Sequence, residues 1–161
     1  MTYEAVTEPL YSIAATAVGG RGGHVHSADG VVDLPLGKPG SQANPKANPE
    51  TLFAAGYAAC FGNALNSVAK AAGLDTSEST VTADVTLGRT STGVGLAVAL
   101  LARIPGVDQA TADQLAAKAH AACPYSKATR GNIDVTITAQ ALPSADEVDV
   151  LAAVDEAEAI G

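Results

Sequence analysis

The sequence predicts an α+β fold, and three features carry that expectation. Short segments alternate apolar and polar residues as half-buried strands do, and one longer apolar run is rich in β-formers. Two further segments have the start and stop signals of helices. The chain is 161 residues long, one domain's worth, enough to bury roughly two thirds of the surface of its unfolded form.

Residues 9–18 (PLYSIAATAV) alternate in part and read as the first strand. Short strands around Val25 and from Val31 to Leu34 flank Asp29-Gly30, a dipeptide suited to a tight hairpin turn. Residues 37–48 (GKPGSQANPKAN) are rich in Pro, Gly and Asn and form a loop. A helix then starts with Asn48 as N-cap, Pro49 at the first helical position and Glu50 where the dipole favours an acid, and it stops at Gly73. Its interior is so poor in charge that most of its circumference is expected to be buried.

Residues 81–87 (VTADVTL) place Val81, Ala83, Val85 and Leu87 on one face, the pattern of a half-buried strand. The run 94–102 lacks polar alternation and ends at Pro105-Gly106, which predicts a strand buried on both faces. A second helix runs from about Asp108 to Cys123, exposes Lys118 and is stopped by Pro124. Residues 133–139 (IDVTITA) form a last strand with Ile133, Val135 and Ile137 inward. Beyond Pro143, Ser144 and Glu147 have capping-box spacing for a short helix, with a frayed tail as the alternative.

Apolar residues make up 47% of the chain and charged residues 16%, which excludes general disorder. Net charge is −8, and there are only four Tyr and two Phe, so neither a phosphate-binding surplus nor a stacking platform for nucleic acid exists. Six acids and no base follow Pro143, leaving the charge of residues 1–142 at −2, so the acidity belongs mainly to the tail. No apolar run is long enough for a bilayer span and the first residues lack a basic n-region, so a cytoplasmic protein without a membrane partner is expected. Two cysteines, Cys60 and Cys123, are too few for a disulfide scaffold.

Cys60 lies about twelve residues inside its helix, beyond the first turn in which the dipole could lower a thiol pKa. Without a nearby cation it is a small buried hydrophobe. Arg21, framed by Gly19-Gly20 and Gly22-Gly23, is the best candidate cation, although such a frame also suits an ordinary turn with a solvated arginine. Glu50 has a sufficient structural role at the helix N-terminus. Phe53, Tyr57 and Phe61 lie on or beside the helical face of Cys60, as core or as the lining of an apolar pocket. His24 and His26 share a strand face and could join His120 or a thiol, but nothing fixes a fourth metal ligand. No Gly-x-Ser-x-Gly elbow supports a hydrolase.

Four segments then carry a resemblance. Gly-Gly-Arg-Gly-Gly-His at 19–24, Ser-Ala-Asp-Gly at 27–30, Asn-Pro-Glu-Thr-Leu-Phe-Ala-Ala-Gly-Tyr-Ala-Ala-Cys-Phe at 48–61 and Cys-Pro-Tyr-Ser-Lys-Ala-Thr-Arg-Gly-Asn-Ile-Asp-Val at 123–135 closely resemble the organic hydroperoxide resistance proteins of the Ohr/OsmC family. The resemblance runs from about residue 3 to 140, and the contexts of both cysteines look like the Ohr branch. The loop at 41–47, less glycine-rich than the family pattern, and the acidic extension at 143–161 depart from it.

The resemblance implies a peroxidase domain over 1–142 with an OsmC-like fold, an intertwined homodimer whose antiparallel sheets wrap central helices. By that likeness Cys60 is the peroxidatic thiol, Cys123 the resolving thiol, Arg21 the activating cation and Glu50 the carboxylate that holds it. The implied partners are an organic hydroperoxide and a dithiol or lipoylated reductant, with no metal or other cofactor. A helix C-terminus should leave Cys123 the less acidic thiol. Glu50 and Cys60 would stand roughly 15 Å apart along an unbroken helix, so either the helix breaks near its start or Arg21 spans much of the gap. The competing reading is a non-enzymatic dimeric binding or stress-response scaffold whose cysteines merely pack.

Overall fold

The computed structural model describes residues 5–40 and 46–144. The chain divides into two compact units, one ending at Phe53 and the other beginning at Ala54.

The first unit holds a three-stranded antiparallel sheet of β1 (Ala15–Val18), β2 (His24–Ser27) and β3 (Asp33–Pro35), in that order. Asp29 organises the β2–β3 turn by accepting from the Ser27 hydroxyl and, at 3.1 Å, from the Val31 N–H, while Gly30 takes a φ of 73°. The hairpin therefore forms where the Asp-Gly pair places it. Between β1 and β2 the chain makes a single 3-10 turn at Gly20–Gly22. Gly23 is required there, because a Cβ would fall 1.8 Å from the Val18 carbonyl oxygen.

The strand expected over 9–18 forms only from Ala15. A strand persists only where a neighbour completes its ladder, and β1 pairs no further than Ala15 with Ser27. Leu10, Tyr11 and Ile13 are correspondingly exposed.

Helix α1 (Pro49–Ala71) begins in the first unit and continues unbroken into the second. Asn48 Oδ1 accepts from the Thr51 N–H at 2.9 Å, as its N-cap role predicts. At the other end Gly73 has a φ of 76°, and the Leu74 N–H reaches the Ala69 carbonyl at 2.9 Å while the Gly73 N–H reaches Lys70 at 3.1 Å. This is a Schellman stop. Tyr57, Phe61, Ala64, Leu65 and Ala69 are buried, whereas Ala55, Ala59, Asn63, Asn66 and Lys70 are exposed. The helix thus buries one face rather than most of its circumference.

The second sheet has the order β4 (Thr80–Thr90), β5 (Gly93–Pro105), β6 (Asp134–Leu142). β4 and β5 form an antiparallel hairpin, and β5 and β6 are parallel. The parallel pair requires a crossover, supplied by α2 (Gln109–Ala122) and α3 (Pro124–Thr129). Register places Val81 opposite Ala102, Ala83 opposite Leu100 and Val85 opposite Val98, with Val135 and Ile137 of β6 level with Val98 and Leu100. These residues share one face, because successive side chains alternate.

One expected strand environment is corrected in this unit. The run 94–102 is not buried on both faces: Val98, Leu100, Ala102 and Ile104 are buried, while Ala99 is exposed and Leu101 and Arg103 are half-buried. Absence of polar alternation marked the strand without reporting how many of its faces are covered. Pro124 does end α2, but it also opens α3 at its first helical position, where its missing N–H costs nothing. The Asp108 N-cap holds as expected, accepting from the Thr111 N–H at 2.7 Å. The helix considered after Pro143 lies outside the described residues beyond Ser144. Among the described residues, no helix is long and apolar enough to cross a membrane.

Candidate active site

Each unit contributes one cluster of the residues singled out from the sequence. In the first, the glycine-framed turn presents Arg21, whose guanidinium meets the Glu50 carboxylate through both terminal nitrogens. Nη1 donates to Oε2 at 2.8 Å and Nη2 donates to Oε1. Two parallel N–H···O bonds make this a bidentate fork, a more directional contact than a single ion pair. Arg21 keeps 52% of its side chain exposed against 11% for Glu50, so the carboxylate is the fixed member and the guanidinium the accessible one. The paired Arg21 holds the Glu50 carboxyl below the usual range, and Glu50 in turn holds the Arg21 pKa above its ordinary value.

In the second unit α1 carries Cys60 and the α2–α3 junction carries Cys123. Cys123 is at once the C-cap of α2 and the N-cap of α3. Both thiols are free, and the Cys123 thiol donates to Cys60 Sγ at 3.4 Å across 63 residues of sequence. Cys123 is fully buried and Cys60 half-buried. Burial pushes the Cys60 thiol up, the backbone N–H of Tyr125 pulls it down, and the neighbouring Cys123 sulfur raises it further. The net direction is upward. A lowered thiol pKa, which the expected asymmetry between the two cysteines required of Cys60, is therefore not supplied within this cluster.

A disulfide bond is about 2.05 Å long, so the two sulfurs need to close by roughly 1.4 Å.

Behind the thiols lie contacts that sequence reasoning missed. Tyr57, one turn before Cys60, places its hydroxyl 3.0 Å from Ser126 Oγ and 3.1 Å from Thr129 Oγ1. Gly56 makes room for the Tyr125 phenol, since a Cβ there would sit 3.1 Å from Tyr125 Oη. The available signal was Pro124 followed by Ser126 and Thr129, a proline helix start with hydroxyls spaced on one face.

Tyr57 and Phe61 have no exposed surface and Phe53 is half-buried, so in this chain only Phe53 of the three presents surface. Of the two alternatives for the separation of Glu50 and Cys60, the break in α1 does not occur, and the two residues remain ten positions apart on one helix. His24 bonds Asp33, and burial followed by the charge of Arg130 lowers the His120 pKa. Among the described residues, no three His, Cys, Asp or Glu side chains gather as a metal-binding group.

Residues 40–138 match the family model described as OsmC-like protein. The chain belongs to the OsmC-like family. A curated relative, the organic hydroperoxide resistance protein of Xanthomonas axonopodis pv. citri (strain 306), is 46% identical over 133 residues, covering 80% of this chain and 94% of its own. OhrA of Bacillus subtilis (strain 168) is 45% identical over 138 residues, covering 82% of this chain and 97% of its own. Among solved structures, an organic hydroperoxide resistance protein from Elizabethkingia anophelis superposes with a TM-score of 0.79 at 51% identity, covering 84% of this chain and all of that one. The resemblance carried by the two cysteine motifs is thus upheld at the level of family and branch, and the fold is the OsmC-like one.

Proposed function

We propose that the protein is a cysteine-based peroxidase that reduces organic hydroperoxides to alcohols. What most supports this is the approach of two free thiols to 3.4 Å from helices distant in sequence, in a chain whose relatives are named for organic hydroperoxide resistance.

In this reading the Cys60 thiolate attacks the distal oxygen of the hydroperoxide. The O–O bond breaks, the alkoxide takes a proton and leaves as the alcohol, and Cys60 becomes a sulfenic acid. Because burial disfavours the Cys60 thiolate, a cation has to compensate, and Arg21 is assigned that role. The same guanidinium stabilises the charge developing on the departing oxygen. Glu50 holds Arg21 oriented.

Cys123 then attacks the Cys60 sulfur, expels water and leaves a disulfide, which a dithiol such as a lipoylated protein reduces by exchange. The half-buried Phe53 is the one of the three aromatic side chains that can meet substrate, and its apolar surface favours alkyl and lipid hydroperoxides over hydrogen peroxide, while Tyr57 and Phe61 pack in the core. A homodimer in the cytoplasm completes the proposal.

The test is consumption of an alkyl hydroperoxide with a dithiol reductant by the wild type, Cys60→Ser and Cys123→Ser. Complete loss in Cys60→Ser, with one turnover surviving in Cys123→Ser, is expected. Equal consumption by all three would leave the thiols as packing and favour a non-enzymatic scaffold.

A further inference from the structure

We propose that the buried hydroxyls of Tyr57, Ser126 and Thr129 are positioning groups that hold Cys123 against Cys60, so that the Cys60 sulfenic acid is captured as a disulfide before a second hydroperoxide can overoxidise it. The inference rests on the peroxidase reading above and assigns three residues to its second step.

Each hydroxyl has a single proton, and this fixes the direction of the chain of bonds. Thr129 donates to the backbone carbonyls of Tyr125 at 3.0 Å and Ser126 at 3.2 Å. Its oxygen therefore accepts from Tyr57, at 3.1 Å. With its proton committed to Thr129, Tyr57 accepts from Ser126, at 3.0 Å. Tyr57 and Ser126 are 0% exposed and Thr129 is 7% exposed, so water cannot readily replace a lost partner.

The placement gives the chain its consequence. Tyr57 precedes Cys60 by one helical turn and lies on the same side of α1. Ser126 and Thr129 lie on α3, the helix that Cys123 caps. A six-residue helix has few internal bonds to hold it in place, so what fastens α3 to α1 also fastens Cys123 to Cys60. The packing of Tyr125 against Gly56 is a second fastening on the same turn.

In the step concerned, the Cys123 sulfur forms a bond to Cys60 Sγ while the S–O bond of the sulfenic acid breaks. The departing hydroxide takes the Cys123 proton and leaves as water, and no outside reductant enters. The competing reaction is attack of the Cys60 sulfenate sulfur on the distal oxygen of a second hydroperoxide, which breaks the O–O bond and gives a sulfinic acid and an alcohol. Loosening α3 slows only the first of these two fates.

The experiment treats full-length wild type, Ser126→Ala, Thr129→Val and Thr129→Ser with increasing cumene hydroperoxide, then quenches rapidly and quantifies Cys60 disulfide and sulfinic acid by mass spectrometry. Ser126→Ala and Thr129→Val should lose their first equivalent of thiol at the wild-type rate but form disulfide about tenfold more slowly, as expected when a well-aligned pair is loosened. Their sulfinic acid should appear at correspondingly lower hydroperoxide. Thr129→Ser, which keeps the hydroxyl, should restore wild-type behaviour. Wild-type partition in Ser126→Ala and Thr129→Val, or failure of Thr129→Ser to rescue, would overturn the proposal. If the wild type forms neither sulfenic acid nor disulfide with cumene hydroperoxide, the peroxidase reading fails. Oxidation by diamide then tests the positioning separately, with slower Cys60–Cys123 closure in Thr129→Val supporting it and equal rates overturning it.

Discussion

At Cys60, burial and a second thiol oppose ionisation, and the Tyr125 N–H favours it. The proposed activation therefore depends on Arg21, and a pH profile reads it directly. Arg21→Gln should move the midpoint of Cys60 alkylation by iodoacetamide to higher pH, with the rate at neutral pH falling at least about tenfold, the effect of one pKa unit on the thiolate fraction. Glu50→Gln removes the anion of the bidentate fork and should shift the profile the same way by less, since Arg21 keeps its charge. An unmoved profile in both variants would deny Arg21 its assigned role. The sequence singles out Cys60, Cys123, Arg21 and Glu50 through motif and resemblance. It could not supply the burial that sets the direction of the Cys60 shift, because burial depends on what α3 places against α1.

Among elements, α1 was the most legible, since Asn48, Pro49 and Gly73 each act through local backbone geometry that any tertiary context leaves intact. Asn48→Ala should cost about 1 kcal/mol of stability in chemical denaturation, the usual loss for an N-cap. Leu65→Ala, on the fully buried face of the same helix, should cost about 2–5 kcal/mol by transfer and cavity terms together. A larger loss at Asn48 than at Leu65 would contradict the view that the helix is stabilised mainly by its packed face. By contrast α3 is not legible in the sequence, because six residues are too few for a periodic signal and Pro124 by itself signals only a stop. The strand expected at 9–18 shortens to Ala15–Val18 for the complementary reason: alternation reports compatibility with a sheet, and only a pairing partner turns it into one.

For the whole molecule, the carboxyls of Asp29, Glu50, Asp75 and Asp108 are all held below their ordinary values. Hydrogen bonds from Ser27, Arg21, Ser77 and Thr111, respectively, are the main causes. A carboxyl whose folded pKa is depressed contributes stability that is present above its unfolded pKa and lost as pH falls through the folded one. Thermal unfolding should therefore show Tm holding down to about pH 5 and falling below about pH 4, near the unfolded carboxyl values. A Tm that rises on acidification would contradict these pairings. Deleting residues 143–161 removes six acids and no base and should leave hydroperoxide turnover unchanged, because the matched family model ends at residue 138.

The local signals determined where the hairpin turns and where α1 and α2 begin, because each is settled by a few neighbouring backbone groups. Family and branch were legible as well, in two long motifs around Cys60 and Cys123. Tertiary structure alone decided that those thiols meet at 3.4 Å, that β5 buries one face, and that Tyr57 bonds to residues 69 and 72 positions away. These are long-range pairings, and their free energy comes from packing and burial created when distant segments close on one another, which no local pattern encodes.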